Sequence, residues 1–185
     1  GTHVTLRWTI DNGSCGSGFD DVIITSPTGP SCLSYCIPSI SVTYQPPTNH
    51  HIRKVEFIGT LLDITNTSTY SAVIPYGYQD FTGLATKSQQ AQGEGVNIYF
   101  ESAFSGFMKA WVDWNKDGDF GDAGETVYDA GGTSQASTTL GFIIPGAAPI
   151  GDYRVRLRIS GNNLSGSDAG FAWDSCSTNL AYFGE

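Results

Sequence analysis

Positive charge is scarce in this chain: nine Lys and Arg face eighteen Asp and Glu, for a net charge of −9 over 185 residues. A surface of that sign repels phosphates, which excludes a nucleic-acid reader and unaided docking on anionic membranes. Long apolar runs are also absent, and no stretch approaches the roughly 20 apolar residues that a membrane-crossing helix requires. The opening GTHVTLRW has neither an initiating Met nor the apolar segment of a signal peptide, so the chain reads as an excised piece of a mature protein. No segment keeps a helical period for three turns. Only 15% of residues are charged, whereas Gly, Ser, Thr and Asn abound and aromatics reach 12%, the profile of an all-β extracellular module.

Catalytic signatures are missing too. There is no HExxH, which removes the zinc proteases. GTSQA at 132–136 matches the surroundings of a subtilisin-type nucleophile, but Ser134 would need a histidine base and an aspartate to orient it. His3 in THVTL and His50–His51 in NHHIRK lack the small residues that surround such a base, and no α/β pattern supports the helix that the serine should open. Ser134 therefore reads as a turn residue between strands. His50 and His51, being adjacent, would point to opposite faces of a strand, which disfavours a joint metal site. The carboxylates concentrate in one loop rather than in a glycosidase-like pair. The expectation is a chain that is not an enzyme.

What is present is a succession of short strand patterns between Gly, Pro and Asn breaks. They run at 4–10, 21–26, 52–59, 96–103, 107–114 and 152–160. Strands at this density predict an all-β fold, an antiparallel β-sandwich of jelly-roll or immunoglobulin-like kind. In the last of them Arg154, Arg156 and Arg158 alternate with Val155, Leu157 and Ile159, so the apolar set reads as core and the arginine row as a solvated face. A boundary falls at Pro27–Ser34, where SPTGPSCLS carries turn formers and no strand signal. Residues 1–34 are expected to be a closing hairpin with its linker, and 35–185 a separate module.

Four cysteines point to disulfides and an oxidising compartment. Of the three possible pairings, one joins Cys15 to Cys32 across a Gly-rich turn and a short strand, and Cys36 to Cys176 across the remaining chain. That pairing is favoured. A metal half-site at Cys32 and Cys36 lacks the second CxxC or His pair that would complete it.

The densest chemistry lies in WVDWNKDGDFGDAGE, Trp111 to Glu125. Asp113, Asn115 and Asp117 alternate like the first three ligands of an EF-hand loop, and Gly118 stands where that loop turns. The closing glutamate position is Gly124 instead, with Asp122 and Glu125 to either side, and flanking helices are missing. The reading is a calcium loop between β-strands, with Asp113, Asn115, Asp117, Asp119, Asp122 and Glu125 as oxygen donors and Trp111 and Trp114 anchoring its mouth. Magnesium fits less well, since it rarely uses an all-protein cage. The competing reading is an acidic turn whose side chains only satisfy local backbone donors.

From Tyr35 onward the chain resembles the GEVED domain, a β-rich module of large secreted bacterial proteins, frequently proteases of Bacteroidetes. The resemblance rests on Tyr35–Cys36, IRKVEFIG, YQDFT at 78–82, the acidic loop, IPGAAPIGDYRVRLR at 144–158, Cys176 and the terminal GE. Before it, TLRWTIDNGSCGSGFDDVIITSP resembles the closing strands of jelly-roll modules of the MAM or cleaved-adhesin kind. The GEVED resemblance implies a secreted, non-catalytic accessory module with a calcium-type loop and a Cys36–Cys176 bond, covalently linked to a catalytic domain elsewhere in its parent. The resemblance brings no defined ligand; the favoured reading is a monomer that targets insoluble protein substrate such as collagen. Tyr76, Tyr78, Phe81 and Trp173 lie in Gly- or Asp-rich segments and are the candidate ligand contacts. A carbohydrate-binding or adhesin module, and a purely structural spacer, are the alternatives.

Overall fold

The computed structural model describes residues 3–11, 17–25, 35–38, 51–70, 78–131, 133–160, 174–176 and 183–184. Two compact units divide the chain, Gly1–Ser34 and Tyr35–Glu185. In the first, β1 (His3–Asp11) and β2 (Ser17–Thr25) form an antiparallel hairpin with His3 opposite Thr25 and Asp11 opposite Ser17.

The second unit is all-β and antiparallel among its described residues. Its strands are β3 (Ile52–Ile58), β4 (Ile64–Thr67), β5 (Gly95–Val112), β6 (Thr126–Asp129), β7 (Gln135–Ile143), β8 (Val155–Ser160) and β9 (Phe183–Gly184). Everything pivots on β5, which merges two strands expected from the sequence into one of 18 residues. Its first half lies between β3 and β7, its second between β6 and β8. The junction is irregular: Glu101 pairs with Ser137 and Gly106 with Gln135, so β5 spends extra residues there and the ladder bends. Ser102 locks the irregularity, its hydroxyl accepting from the Phe104 amide at 3.0 Å and donating to the Phe104 carbonyl at 2.7 Å. Gly106 is required at this point because a Cβ there would sit 2.5 Å from the Ser160 carbonyl oxygen.

The halves of β5 differ in what covers them. In the first, Val96, Ile98 and Phe100 are buried while Asn97 is exposed, the period of two expected when one face meets water. From Gly106 to Val112 every residue is buried. One core collects Ile52, Ile98, Phe100, Leu140, Met108, Ala110 and Ile159. Removing the Ile, Leu, Phe and Met side chains of this set from water contributes about 1.5–3 kcal/mol each.

The opposite face of the second half carries Lys109, Trp111, Arg156 and Arg158, with Lys109 opposite Arg158 and Trp111 opposite Arg156. The solvated arginine face expected from the alternation is therefore corrected: Arg156 and Arg158 are 5% and 2% exposed. Their cover comes from distant segments. Arg156 donates to the carbonyls of Cys36 (2.7 Å) and Ser175 (2.9 Å), and Arg158 to that of Asp174 (2.7 Å). Lys109 pairs with Asp129 at 2.8 Å. Cys36 and Cys176 are disulfide-bonded, joining the two ends of this cover across 140 residues. Cys15 and Cys32 lie outside the described residues.

Candidate functional site

The acidic loop connects β5 to β6 and is closed at its base by backbone bonds. Val112 N donates to Glu125 O at 2.9 Å, and Asp113 N to Arg154 O at 3.1 Å. Strands, not helices, flank it. Above the base the alternating polar residues each accept the amide two positions on: Asn115 from Asp117 (3.0 Å), Asp117 from Asp119 (3.1 Å) and Asp119 from Gly121 (2.7 Å). This ladder winds the loop tightly enough to need a left-handed backbone at Gly118 (φ 96°) and at the non-glycine Lys116 (φ 61°).

The six expected donors separate into two groups. Asp113 is fully buried; its Oδ1 accepts from Lys116 N (2.6 Å), and its Oδ2 from Gly118 N (3.1 Å) and from the Tyr35 hydroxyl (2.6 Å). Glu125 is 1% exposed and accepts from the Trp114 and Asp122 amides at 3.0 and 3.2 Å. These two hold the loop from within. Burial pushes the Glu125 carboxyl above its ordinary value, and burial followed by the bond to Asp113 pushes the Tyr35 phenol up.

Asp117, Asp119 and Asp122 are exposed, and carboxylate oxygens from the three lie within 4.8 Å of one another. Asn115 bridges two of them, donating to Asp117 Oδ2 (2.9 Å) and Asp122 Oδ2 (2.6 Å). The Asp119 amide, then the Asn115 side chain, holds the Asp117 carboxyl below its ordinary range. Three converging carboxylates, with an amide whose rotation would present its oxygen, form an all-oxygen donor set suited to a hard cation. No sulfur or imidazole is part of that group.

Aromatic and cationic side chains clamp the loop. Trp111 and Phe120 are buried together with Tyr35 packed against them, the Tyr35 and Phe120 rings 5.3 Å apart. Arg156 lies over Phe120 at 4.8 Å, Arg154 over Tyr35 at 4.6 Å and Lys116 over Tyr153 at 4.3 Å. Trp114 meets Phe142 and Tyr153 edge-on at 5.9 and 5.3 Å. Sequence reasoning found Trp111 and Trp114 but missed Tyr35, Phe120 and Arg156. One signal was available for Tyr35: the pairing of its neighbour Cys36 with Cys176 predicts that it reaches a distant part of the fold.

Beside the clamp lies a groove of about 450 Å³. Val55, Phe57, Ile64 and Leu157 give it an apolar lining, and the expected ligand contacts Tyr78 and Phe81 line it as well. Its ionic groups include two opposite pairs, Arg154 with Asp80 at 3.6 Å and Lys87 with Asp152. Hydrogen bonding to Thr82 and the Lys87 ammonium, respectively, hold the Asp80 and Asp152 carboxyls low. Tyr76 and Trp173 lie outside the described residues. Ser134 is exposed just ahead of β7, so it precedes a strand rather than a helix, and His51 is half-buried with its ring 6.4 Å from that of Tyr70.

The buried second half of β5, the acidic loop and the covered arginine strand all fall within the stretch that begins at Phe107. Residues 107–185 match the GEVED domain. The match includes the acidic loop, β8 and Cys176, three of the features on which the resemblance was drawn. GEVED domains are accessory modules found in secreted proteins, which agrees with a non-catalytic role for this region. No helix among the described residues is long and apolar enough to cross a membrane. Comparisons with curated proteins and with solved structures return no match.

Proposed function

We propose that the GEVED-matching unit is a calcium-stabilised binding module of a secreted multidomain protein, and that it holds a linked protease on insoluble protein substrate of the collagen kind. The observation that carries the binding role is the apolar groove lined by Tyr78 and Phe81. With its rim charges paired, it favours uncharged, apolar segments of an extended polypeptide over charged ligands. Calcium is supported by the oxygen-only donor set of Asp117, Asp119 and Asp122, with Asn115 beside it; bound there, the ion would neutralise mutual repulsion at the loop's tip. Asp113 and Glu125 would hold the backbone that presents those ligands.

An extracellular setting is supported by the Cys36–Cys176 bond, which persists in oxidising surroundings. The fold is read as a sandwich, supported by the entry of side chains from both halves of β5 into one core.

The test is a pull-down of the purified chain on collagen and other protein fibres in calcium, with Phe81→Ala as control. Retention lost in Phe81→Ala supports the reading. Retention on polysaccharide alone would favour the carbohydrate module, and no retention on any support, the spacer.

A further inference from the structure

The contacts between the disulfide and the acidic loop form a continuous path. Cys36 is bonded to Cys176, and Arg156 grips the Cys36 residue through its carbonyl (2.7 Å) and its Sγ (3.0 Å). The same guanidinium lies over Phe120, which is 4% exposed inside the loop. Tyr35, one residue before Cys36, packs its ring against Phe120 and donates a hydrogen bond from its hydroxyl to Asp113 Oδ2 at 2.6 Å. Asp113 in turn accepts the amides of Lys116 and Gly118, the two residues with left-handed backbone between which Asp117 projects.

We propose that Tyr35 is a positioning residue for the loop's cation site, and that the Cys36–Cys176 bond keeps it in place. The cation part rests on the calcium reading given above; the positioning part does not. The physical argument is one of competition. A fully buried carboxylate that loses a hydrogen-bond donor is left short of compensation for its charge, and it regains that by drawing in water or by turning away from the amides it holds. Either change releases Lys116 from a left-handed backbone that costs energy and frees the Gly118 amide, and the ligands on either side of them lose their fixed spacing. A cation site whose ligands must be ordered at the moment of binding is weaker by that ordering cost. The Tyr35 segment is far from the loop in sequence, 78 residues from Asp113, so no local turn holds it there. Its anchorage is supplied by the disulfide and by Arg156.

Two full-chain variants test this, Tyr35→Phe and the double substitution Cys36→Ser with Cys176→Ser. Tyr35→Phe keeps the ring on Phe120 and removes only the hydroxyl. Hydrogen exchange is followed in chelator at the Lys116 and Gly118 amides, with Ile98 and Phe100 in the first half of β5 as reference. Loop amides should exchange about tenfold faster in Tyr35→Phe, and at least as fast in the double variant, while the reference amides keep their rates. Calcium titration of Tyr35→Phe should show a Kd about tenfold weaker than that of the native chain. Unchanged loop amides in Tyr35→Phe would overturn the proposal, as would an equal acceleration at the reference amides, which would mark a general loss of stability. Should the native chain bind no calcium while the loop amides still respond, the calcium reading falls and the positioning role stands.

Discussion

Asp113 and Glu125 share a loop with Asp117, Asp119 and Asp122, yet the first two are buried and the other three exposed. The buried pair spends its oxygens on backbone amides of the loop, whereas the exposed three bring theirs within 4.8 Å of one another at its tip. All five side chains are carboxylates. Burial separates them: a carboxylate out of water must be compensated from inside the protein, and one in water is free to compete for a cation. Asp117 and Asp119 also accept one loop amide each, so the proposed ion site would draw on the oxygens that those turn bonds leave over.

The sharpest way to break that contrast is Asp113→Ala. It leaves two loop amides and the Tyr35 hydroxyl without their acceptor, and stability measured by urea unfolding in chelator should fall by about 3 kcal/mol. A loss seen only with calcium present would make Asp113 a ligand first and a support second, and erase the contrast.

Converting Asp117, Asp119 and Asp122 together to Asn probes the other side. In chelator, stability should move by less than about 0.5 kcal/mol, as for ordinary surface changes. With calcium at a hundred times its Kd, the variant should lack the roughly 2.7 kcal/mol that the native chain gains by mass action. Phe81→Ala, outside the loop, should cost under about 1 kcal/mol because its ring is partly exposed, while retention on protein fibre is lost.

Acid titration gives the smallest effect, with opposite signs for Glu125 and Asp117. Glu125, held above its ordinary 4.5 by burial, contributes stability present below that value and lost as pH rises through its raised folded value. Asp117, held below 3.8, contributes stability present above that value and lost as pH falls through its lowered one. Thermal melts in chelator should therefore show the native chain losing its advantage over Glu125→Gln with rising pH, and over Asp117→Asn with falling pH.

The loop's place between strands was legible because Asp, Asn and Gly alternate after an apolar run, and the first half of β5 because its burial alternates with a period of two. Strands β4 and β6 were not, as four residues are too few to set a period. Nor was β7, whose QASTTLGFI is dominated by small polar residues that earn their place through pairing with β5. The arginine row misled for another reason. Alternation in β8 reports two faces but not what covers them, and the cover at Cys36 and Ser175 arrives from 120 and 19 residues away.

Calcium titration by calorimetry, on the native chain and on the triple variant Asp117→Asn, Asp119→Asn, Asp122→Asn, tests the division most directly. The account predicts one calcium per native chain and none for the variant, with near-ultraviolet circular dichroism in chelator unchanged between them. Equal binding by the two, or no binding by the native chain, would contradict it.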